Sequence, residues 1–500
     1  MRFSRFFSDI TTNKAQQDEL SSPVETKQRN GYQWTALSVT TVGALLGAIQ
    51  GSALLIALPN ILAELHTTFL TIVWVLLGYL LIVTVLTPII GRLADLWGRK
   101  RLYNSGFVAF TVGSLIAGLA QPPLHGADLI LGRVVQGLGA ALLITNSTVI
   151  VTDAFRRGNV GLGLGVNQIA GAAGFLIGPI IGGLLTEWSW RWVFLFNVPL
   201  GIFGTLWGIW RLREPVRPLE RQPIDWFGII TLSIGLFGIL LALSMLGFPL
   251  LPQAITLAIL AIGIVSFVLF VVIEPRIQAP LIQLRLFRSR LFALANLSGL
   301  LNGIARGAVL FLLIFFLQGP YGKDPLTAGL MLTPFGAAFM MIGPLSGRLS
   351  DHVGSRLLTP IGLLISAVGL FALTTINQFT PYWLLAVYMA LMGGGSGFFV
   401  SPNTNAIMSS VEPHTRGAAA GILNMLNNTG AMLSIAIVFP LALSKIPFQA
   451  IQQVFITGGG LGHFASAIPP FLSGLHLAFL VSFVLSVIAA IVAALRPAHR

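Results

Sequence analysis

The sequence predicts an all-α polytopic membrane protein: two pseudo-symmetric six-helix bundles plus an inserted helix pair, fourteen transmembrane helices in all. Three observations carry that prediction. The 500-residue chain is 55% hydrophobic and only 9% charged, with a mean hydropathy of +0.86, more apolar than a water-soluble globular domain. Its apolar residues fall into fourteen runs of about 20 residues, the length that crosses a bilayer core. A charged turn between the second and third runs, Gly-Arg-Leu-Ala-Asp-Leu-Trp-Gly-Arg-Lys-Arg-Leu from Gly91 to Leu102, returns 256 positions later. Pro88, Gly91, Arg92, Leu93, Asp95 and Gly98 recur as Pro344, Gly347, Arg348, Leu349, Asp351 and Gly354, so the chain contains its architecture twice.

In chain order, residues 1–33 form a polar cytoplasmic tail. Phe3, Phe6, Phe7 and Ile10 stand at helical spacing beside Arg2 and Arg5, which suits a short helix on the inner membrane surface or a disordered lead. The first run, Trp34 to Leu58, is too long for a signal-peptide core and stays in the mature chain. It opens a first bundle, residues 34–212, continued by Phe69 to Ile90, Tyr103 to Ala120, Ala127 to Val151, Val160 to Leu185 and Val193 to Trp210. Residues 213–290 carry the inserted pair, Trp226 to Leu246 and Gln253 to Ile273, between basic, proline-bearing linkers. A second bundle, residues 291–495, comprises Leu291 to Gln318, Leu326 to Leu345, Leu357 to Ile376, Tyr382 to Met408, Gly417 to Leu443 and Phe471 to Leu495, and residues 496–500 form a last cytoplasmic tail.

The net charge of +13 invites a nucleic-acid reading. The distribution excludes it, because Lys and Arg sit in short loops of one side rather than on one folded face. With Arg99 cytoplasmic, the inner side also receives Arg156, Arg157, Arg211, Arg213, Arg276, Arg285, Arg288, Arg290, Arg348, Arg496 and Arg500, while the outer loops receive only Arg191, Lys323 and Lys445. Both termini are then cytoplasmic and the number of spans is even. The absence of cysteine removes disulfides, thiolate metal sites and cysteine nucleophiles. Scattered histidines, no Gly-rich phosphate loop and no soluble domain leave no enzyme, no cofactor and no site for ATP, so energy must come from a gradient or from the substrate.

The turn needs its residues. Gly91 and Gly98 permit close helix approach and a tight reversal, Asp95 can accept hydrogen bonds at a neighbouring helix N-terminus, and Arg92, Arg99, Lys100 and Arg101 hold the turn inside. A positive-inside loop alone would explain the basic residues but not the glycines, the aspartate and their second copy. The stretch from Gly91 to Leu102 resembles the signature loop between helices 2 and 3 of the major facilitator superfamily of transporters. That resemblance implies that Gly91, Arg92, Asp95, Gly98 and Arg99, with Arg348 and Asp351 in the second half, latch a cytoplasmic gate.

Other motifs are similar to those of the superfamily's fourteen-helix drug:proton antiporters. Gly174, Gly178, Pro179, Gly182 and Gly183 form a smooth stripe with a bend, as close packing in a membrane requires; their order resembles the antiporter motif and implies export. Leu131 to Ala141 resembles a fourth-helix motif in which Arg133 and Gln136 face a central cavity. Trp188 to Gly201, Asp225-Trp226, Gln318 and Arg416-Gly417 extend the resemblance over nearly the whole chain. One departure bears on mechanism: relatives usually carry an aspartate where Gln50 stands and an asparagine where Leu55 stands. Glutamine cannot titrate, so proton coupling would need another group, such as Asp128, His125 or His476 near the outer face.

Arg133 and Arg306 are the two charges within spans. Gln50 and Arg306 lie about 22 to 24 Å from the inner face and Arg133 about 8 Å from the outer face, counting along the helices. A lipid-facing arginine at mid-depth costs at least about 2.5 kcal/mol, so both arginines are expected on a wet cavity or a protein partner, snorkelling to headgroups being the alternative. Asn167, Asn302, Asn403 and Asn427 complete a candidate lining, each with interhelical hydrogen bonding as its alternative role.

The expectation is a plasma-membrane carrier, working as a monomer, that exports amphipathic small molecules by alternating access, with proton antiport implied by the resemblance. An organic-anion or lipid/metabolite uniporter without proton coupling is the rival, and a non-transporting receptor or regulator is the alternative of another class.

Overall fold

The computed structural model describes residues 23–65, 67–124, 126–155, 160–214, 225–247, 251–277, 280–412, 415–444 and 468–497, and these are helical with no strand among them. The first half holds α1 (Pro23–Glu64), α2 (Phe69–Trp97), α3 (Arg99–Gly118), α4 (Ala127–Ala154), α5 (Val160–Trp188), α6 (Arg191–Leu195) and α7 (Asn197–Arg211). The inserted pair is α8 (Trp226–Gly247) and α9 (Gln253–Ile273). The second half holds α10 (Arg290–Arg306), α11 (Val309–Gln318), α12 (Pro325–Met331), α13 (Thr333–Val353), α14 (Ser355–Leu373), α15 (Tyr382–Ser409), α16 (Arg416–Leu443) and α17 (Ile468–Ala494). The tail segment around Phe3 to Ile10 and His125 lie outside the described residues.

Among the described residues, thirteen helical segments are long and apolar enough to span a membrane. The fourteenth, α3, is 20 residues long and is diluted by Arg99, Lys100 and Arg101 at its start. Helix boundaries differ from the sequence reading in four places. α1 begins at Pro23, ahead of Trp34, because polar helix formers continue it beyond the apolar run. The sixth, ninth and tenth spans are each divided, at Phe196, at Gly307-Ala308 and at Leu332. At the second break the Ala308 N–H donates to Ser434 Oγ of α16 at 2.8 Å, replacing the intrahelical bond that the turn gives up. Pro334, in the first turn of α13, has no N–H to lose.

Close backbone packing repeats with the same 256-residue offset as the charged turn. Gly113 and Gly139 lie where α3 and α4 cross, and a Cβ on Gly113 would meet Gln136 Cα at 2.8 Å. Their copies Gly369 and Gly395 lie where α14 crosses α15, and a Cβ on Gly369 would stand 2.7 Å from Met392 N. Gly98 and Gly354 turn the chain at φ +93° and +83°, a backbone region that disfavours residues with a Cβ.

The turn at Gly98 is clamped from two sides. Arg99 pairs with Asp153 of α4, and the Glu214 carboxylate accepts from Arg99 N at 2.9 Å and from Lys100 N at 3.0 Å. The acceptor found at the N-terminus of α3 is therefore Glu214, which the sequence reading passed over. The side chains of Gly91, Arg92, Asp95 and Asp351 lie outside the described residues; Arg348 is exposed.

At the opposite end the glycine stripe of α5 divides between two neighbours. Gly174 and Gly178 face α1, as does Gly182, where a Cβ would meet Ala53 Cα at 2.7 Å; a Cβ on Gly183 would meet Leu326 Cα of α12 at 2.6 Å. Gly329 of α12 lies against Pro179 in return. Gln318 Nε2 of α11 donates to Ile56 O of α1 at 2.9 Å, so the two halves touch here. The inserted α8 contacts α2 of one half and α16 of the other, with Trp74 and Phe237 ring centroids 5.7 Å apart.

Arg496, counted above among the inner-loop cations, is instead 1% exposed. It donates to Ser298 Oγ and, at 2.6 Å, to Asn403 Oδ1, and burial pushes its pKa down to about 10. The Arg496 side chain thus reaches back between α10 and α15, while Leu495 and Pro497 beside it are exposed.

Candidate substrate cavity

A cavity of about 240 Å³ lies between the two halves, somewhat below the roughly 300 to 1,000 Å³ of small-molecule sites. Its wall repeats the internal symmetry. Gly51 and Gly307, Leu55 and Phe311, Tyr79 and Phe335, and Phe175 and Ala431 all line it, and the members of each pair stand 256 positions apart. Matching elements of the two halves therefore present matching positions to the same space.

Polarity enters where the repeat is broken. Arg133, Arg306 and Asn427 line the cavity, and among the described residues no Asp or Glu does. Arg133 is 1% exposed and held by protein groups. Its Nε donates to Val75 O at 3.0 Å, its guanidinium to Gln136 Oε1 at 2.6 Å, and its Cζ lies 4.1 Å from the centroid of the Tyr79 ring. Gln136 passes the chain of bonds to Ser114 Oγ at 2.7 Å. Arg306, at the end of α10 where the helix breaks, is different. Its Nε is buried without a hydrogen-bond partner, and its recorded contact is with the Phe339 ring, 5.8 Å from Cζ.

The structure thus brings Arg133, Arg306 and Asn427 to one cavity and places the other candidates elsewhere. Gln50 is 1% exposed and accepts from Asn197 Nδ2 of α7. Gln136 braces Arg133 from behind. Asn167 accepts from Thr41 Oγ1 at 3.2 Å and donates to Ser147 Oγ at 2.8 Å. Asn302 is buried within α10, and Asn403 is held by Arg496. Most of these amides find interhelical partners because apolar surroundings offer them no water. Phe175 and Phe311 reach the cavity, as do Tyr79 and Phe335, which the sequence reading did not single out. The 256-residue offset was the signal that could have found that last pair.

Two of the three proposed proton carriers, Asp128 and His476, lie away from this wall. Asp128 accepts from Gln121 N at 2.6 Å and Leu129 N at 2.8 Å, tying the start of α4, and His476 Nε2 is 2.7 Å from Ile376 O.

A membrane-embedded chain of two repeated helical halves with a shared cavity between them has the build of a carrier. The comparisons with known proteins agree: the Major Facilitator Superfamily model matches residues 40–435 and 295–500, and the chain belongs to that superfamily. It is a multi-pass membrane transporter of a small molecule, and not an enzyme. It is 30% identical over 405 residues to the riboflavin transporter RibZ of Clostridioides difficile (strain 630), covering 81% of this chain and 87% of that protein. It is likewise 30% identical over 401 residues to multidrug resistance protein 3 of Bacillus subtilis (strain 168), covering 79% and 77%. Among solved structures, a bacterial homologue of the human lysosomal transporter Spinster, inward-facing and unoccupied, superposes with a TM-score of 0.66 at 16% identity, covering 95% of this chain and 97% of that one.

Proposed function

We propose that this chain exports amphipathic small molecules across the plasma membrane by alternating access, both termini being cytoplasmic, and that the cavity between α1, α2, α4 and α5 of one half and α10, α11, α13 and α16 of the other is its substrate site. The observation that carries the reading is the composition of the wall, aromatic and aliphatic over most of its area with two guanidiniums and one amide converging on it. Such a surface takes an apolar body and orients one polar group. Closure at the α5–α12 end, with the Gly98 and Gly354 turns at the other, supports a rocking of the two halves about this site. In that cycle the turn residues Gly91, Arg92, Asp95, Gly98, Arg99, Arg348 and Asp351 serve as latches of the cytoplasmic gate, working as a monomer.

Proton antiport is the coupling that family resemblance supports. A second reading, uniport without proton exchange, is favoured by one observation: among the described residues no carboxyl group lines the cavity. Both are tested with the purified full chain in inside-out proteoliposomes, by following an amphipathic fluorescent dye with and without an imposed pH gradient. Accumulation above equilibrium only under the gradient establishes antiport. Equilibration at the same rate in both conditions establishes uniport, and absence of protein-dependent flux across a panel of amphiphiles overturns the transport reading.

A further inference from the structure

We infer that the cavity selects substrates bearing an anionic group, a carboxylate or sulfonate on an aromatic body, and that Arg306 is the residue that receives that group; this rests on the cavity being the substrate site. The two arginines of the wall look equivalent in sequence but are not. Arg133 donates through Nε to Val75 O and through Nη1 to Gln136 and lies over the Tyr79 ring, so its charge is held in a protein network. Arg306 has no acceptor among the described residues and no carboxylate beside it, and its Nε is buried and unpaired. An uncompensated guanidinium inside a membrane is costly, and an arriving oxyanion supplies the missing acceptors in a geometry that the planar fork matches.

The internal repeat sharpens the point. Arg306 stands 256 positions after Gln50, and Arg133 stands 256 before Met389. Gln50 turns away to Asn197, and Met389 is fully buried. Both cavity charges are therefore departures from an otherwise symmetric wall. The departure at Arg306 coincides with the helix break at Gly307-Ala308, which Ser434 secures at 2.8 Å. That break ends α10 at the cavity and leaves the guanidinium free, with Asn427 on the same wall as a further hydrogen-bonding group. The body of the ligand packs on Phe175, Phe311 and Phe335. At about 240 Å³ the space suits a compact ring system better than a lipid with two acyl chains.

The test uses three probes that share one ring: naphthalene-2-sulfonate, (2-naphthyl)trimethylammonium and 2-naphthol. Each is offered to the purified full chain for binding, read by thermal shift and by displacement of a fluorescent anion, and for flux in potential-clamped proteoliposomes. The expected result is that the sulfonate binds and moves, the ammonium does neither, and Arg306→Gln weakens sulfonate binding by about ten- to a hundredfold, the range of a hydrogen bond to a charged group. Arg306→Lys restores part of it, and cooperative melting of both unliganded variants shows that they fold. Preference of the wild type for the ammonium, or sulfonate binding by Arg306→Gln at wild-type strength, overturns the inference while leaving transport intact. Sulfonate binding that depends on Arg306 without protein-dependent flux of the sulfonate supports the anion site and overturns the proposed export of such amphiphiles instead. Failure of the sulfonate to bind at all, with an anionic lysolipid binding in an Arg306-dependent manner, overturns the aromatic-anion assignment in favour of a lipid.

Discussion

Arg99 and Glu214 show how single side chains hold the charged turn. Glu214 places its two carboxylate oxygens on the N–H groups of Arg99 and Lys100, where the positive end of the α3 dipole favours an anion. Glu214→Gln keeps an acceptor but loses the charge, and Glu214→Ala loses both. The expected cost is a few tenths of a kcal/mol for the first and about 1 kcal/mol for the second, with the difference shrinking at high salt, measured by thermal unfolding in detergent. Asp324 plays the corresponding part at the other end. It caps α12 by accepting from Thr327 N at 2.8 Å, and the Thr327 hydroxyl, with that N–H, lowers its pKa below the usual aspartate value. Because the folded-state value is the lowered one, the stabilisation is present at neutral pH and is lost as pH falls through it. Asp324→Asn, an equally good cap without a charge, should remove the acid-side dependence while keeping neutral-pH stability, as a pH series of melting temperatures would report. Asp324 directly before Pro325 is a local helix-start signature that the sequence displays, whereas Glu214 meets a helix end 115 positions away, which only the resting place of the α7 terminus decides.

At the scale of helices, the chain relies on glycines where backbones touch. The crossing of α3 with α4 and its copy, α14 with α15, leave no room for a side chain at Gly113 or Gly369. Gly113→Val and Gly369→Val should each destabilise by about 1 to 3 kcal/mol, the usual penalty for overpacking, or prevent folding, whereas Gly171→Ala, where nothing lies within 4 Å of a Cβ, should be neutral. Parallel melting curves of the three variants decide it. Element identity was legible because runs of about 20 apolar residues admit one interpretation in a bilayer. The breaks at Phe196, Gly307 and Leu332 were not, because an apolar run reads the same whether or not a neighbour such as Ser434 takes over a freed backbone group.

Over the whole molecule, the two halves meet at the α5–α12 seam and through the Gln318 bond to Ile56. Removing that bond should favour the state open at this end. Since the chain has no cysteine, a single cysteine at Leu332, 4% exposed and lining a narrow recess beneath the seam, reports opening by its rate of alkylation. In Gln318→Ala that rate should rise by about fivefold, equivalent to roughly 1 kcal/mol for one hydrogen bond. An unchanged rate would mean that apolar packing alone holds the seam. The repeat that predicts this two-part build was visible in six residues of a charged turn, and the structure extends it to the glycine crossings and to four pairs of positions on the cavity wall.

The sequence by itself determined the number and order of apolar spans, the duplication and the two intramembrane arginines, because chain length per span, residue spacing and charge are local properties. It could not determine which side chains share the cavity. Helices that are apolar nearly all round carry no periodic signal of the face they present, and one turned or broken helix carries Gln50 to Asn197 and leaves Arg306 on the cavity wall. That choice was made by tertiary packing, where glycines set the approach of neighbours and each buried polar group must find a partner or face the one space left for a ligand.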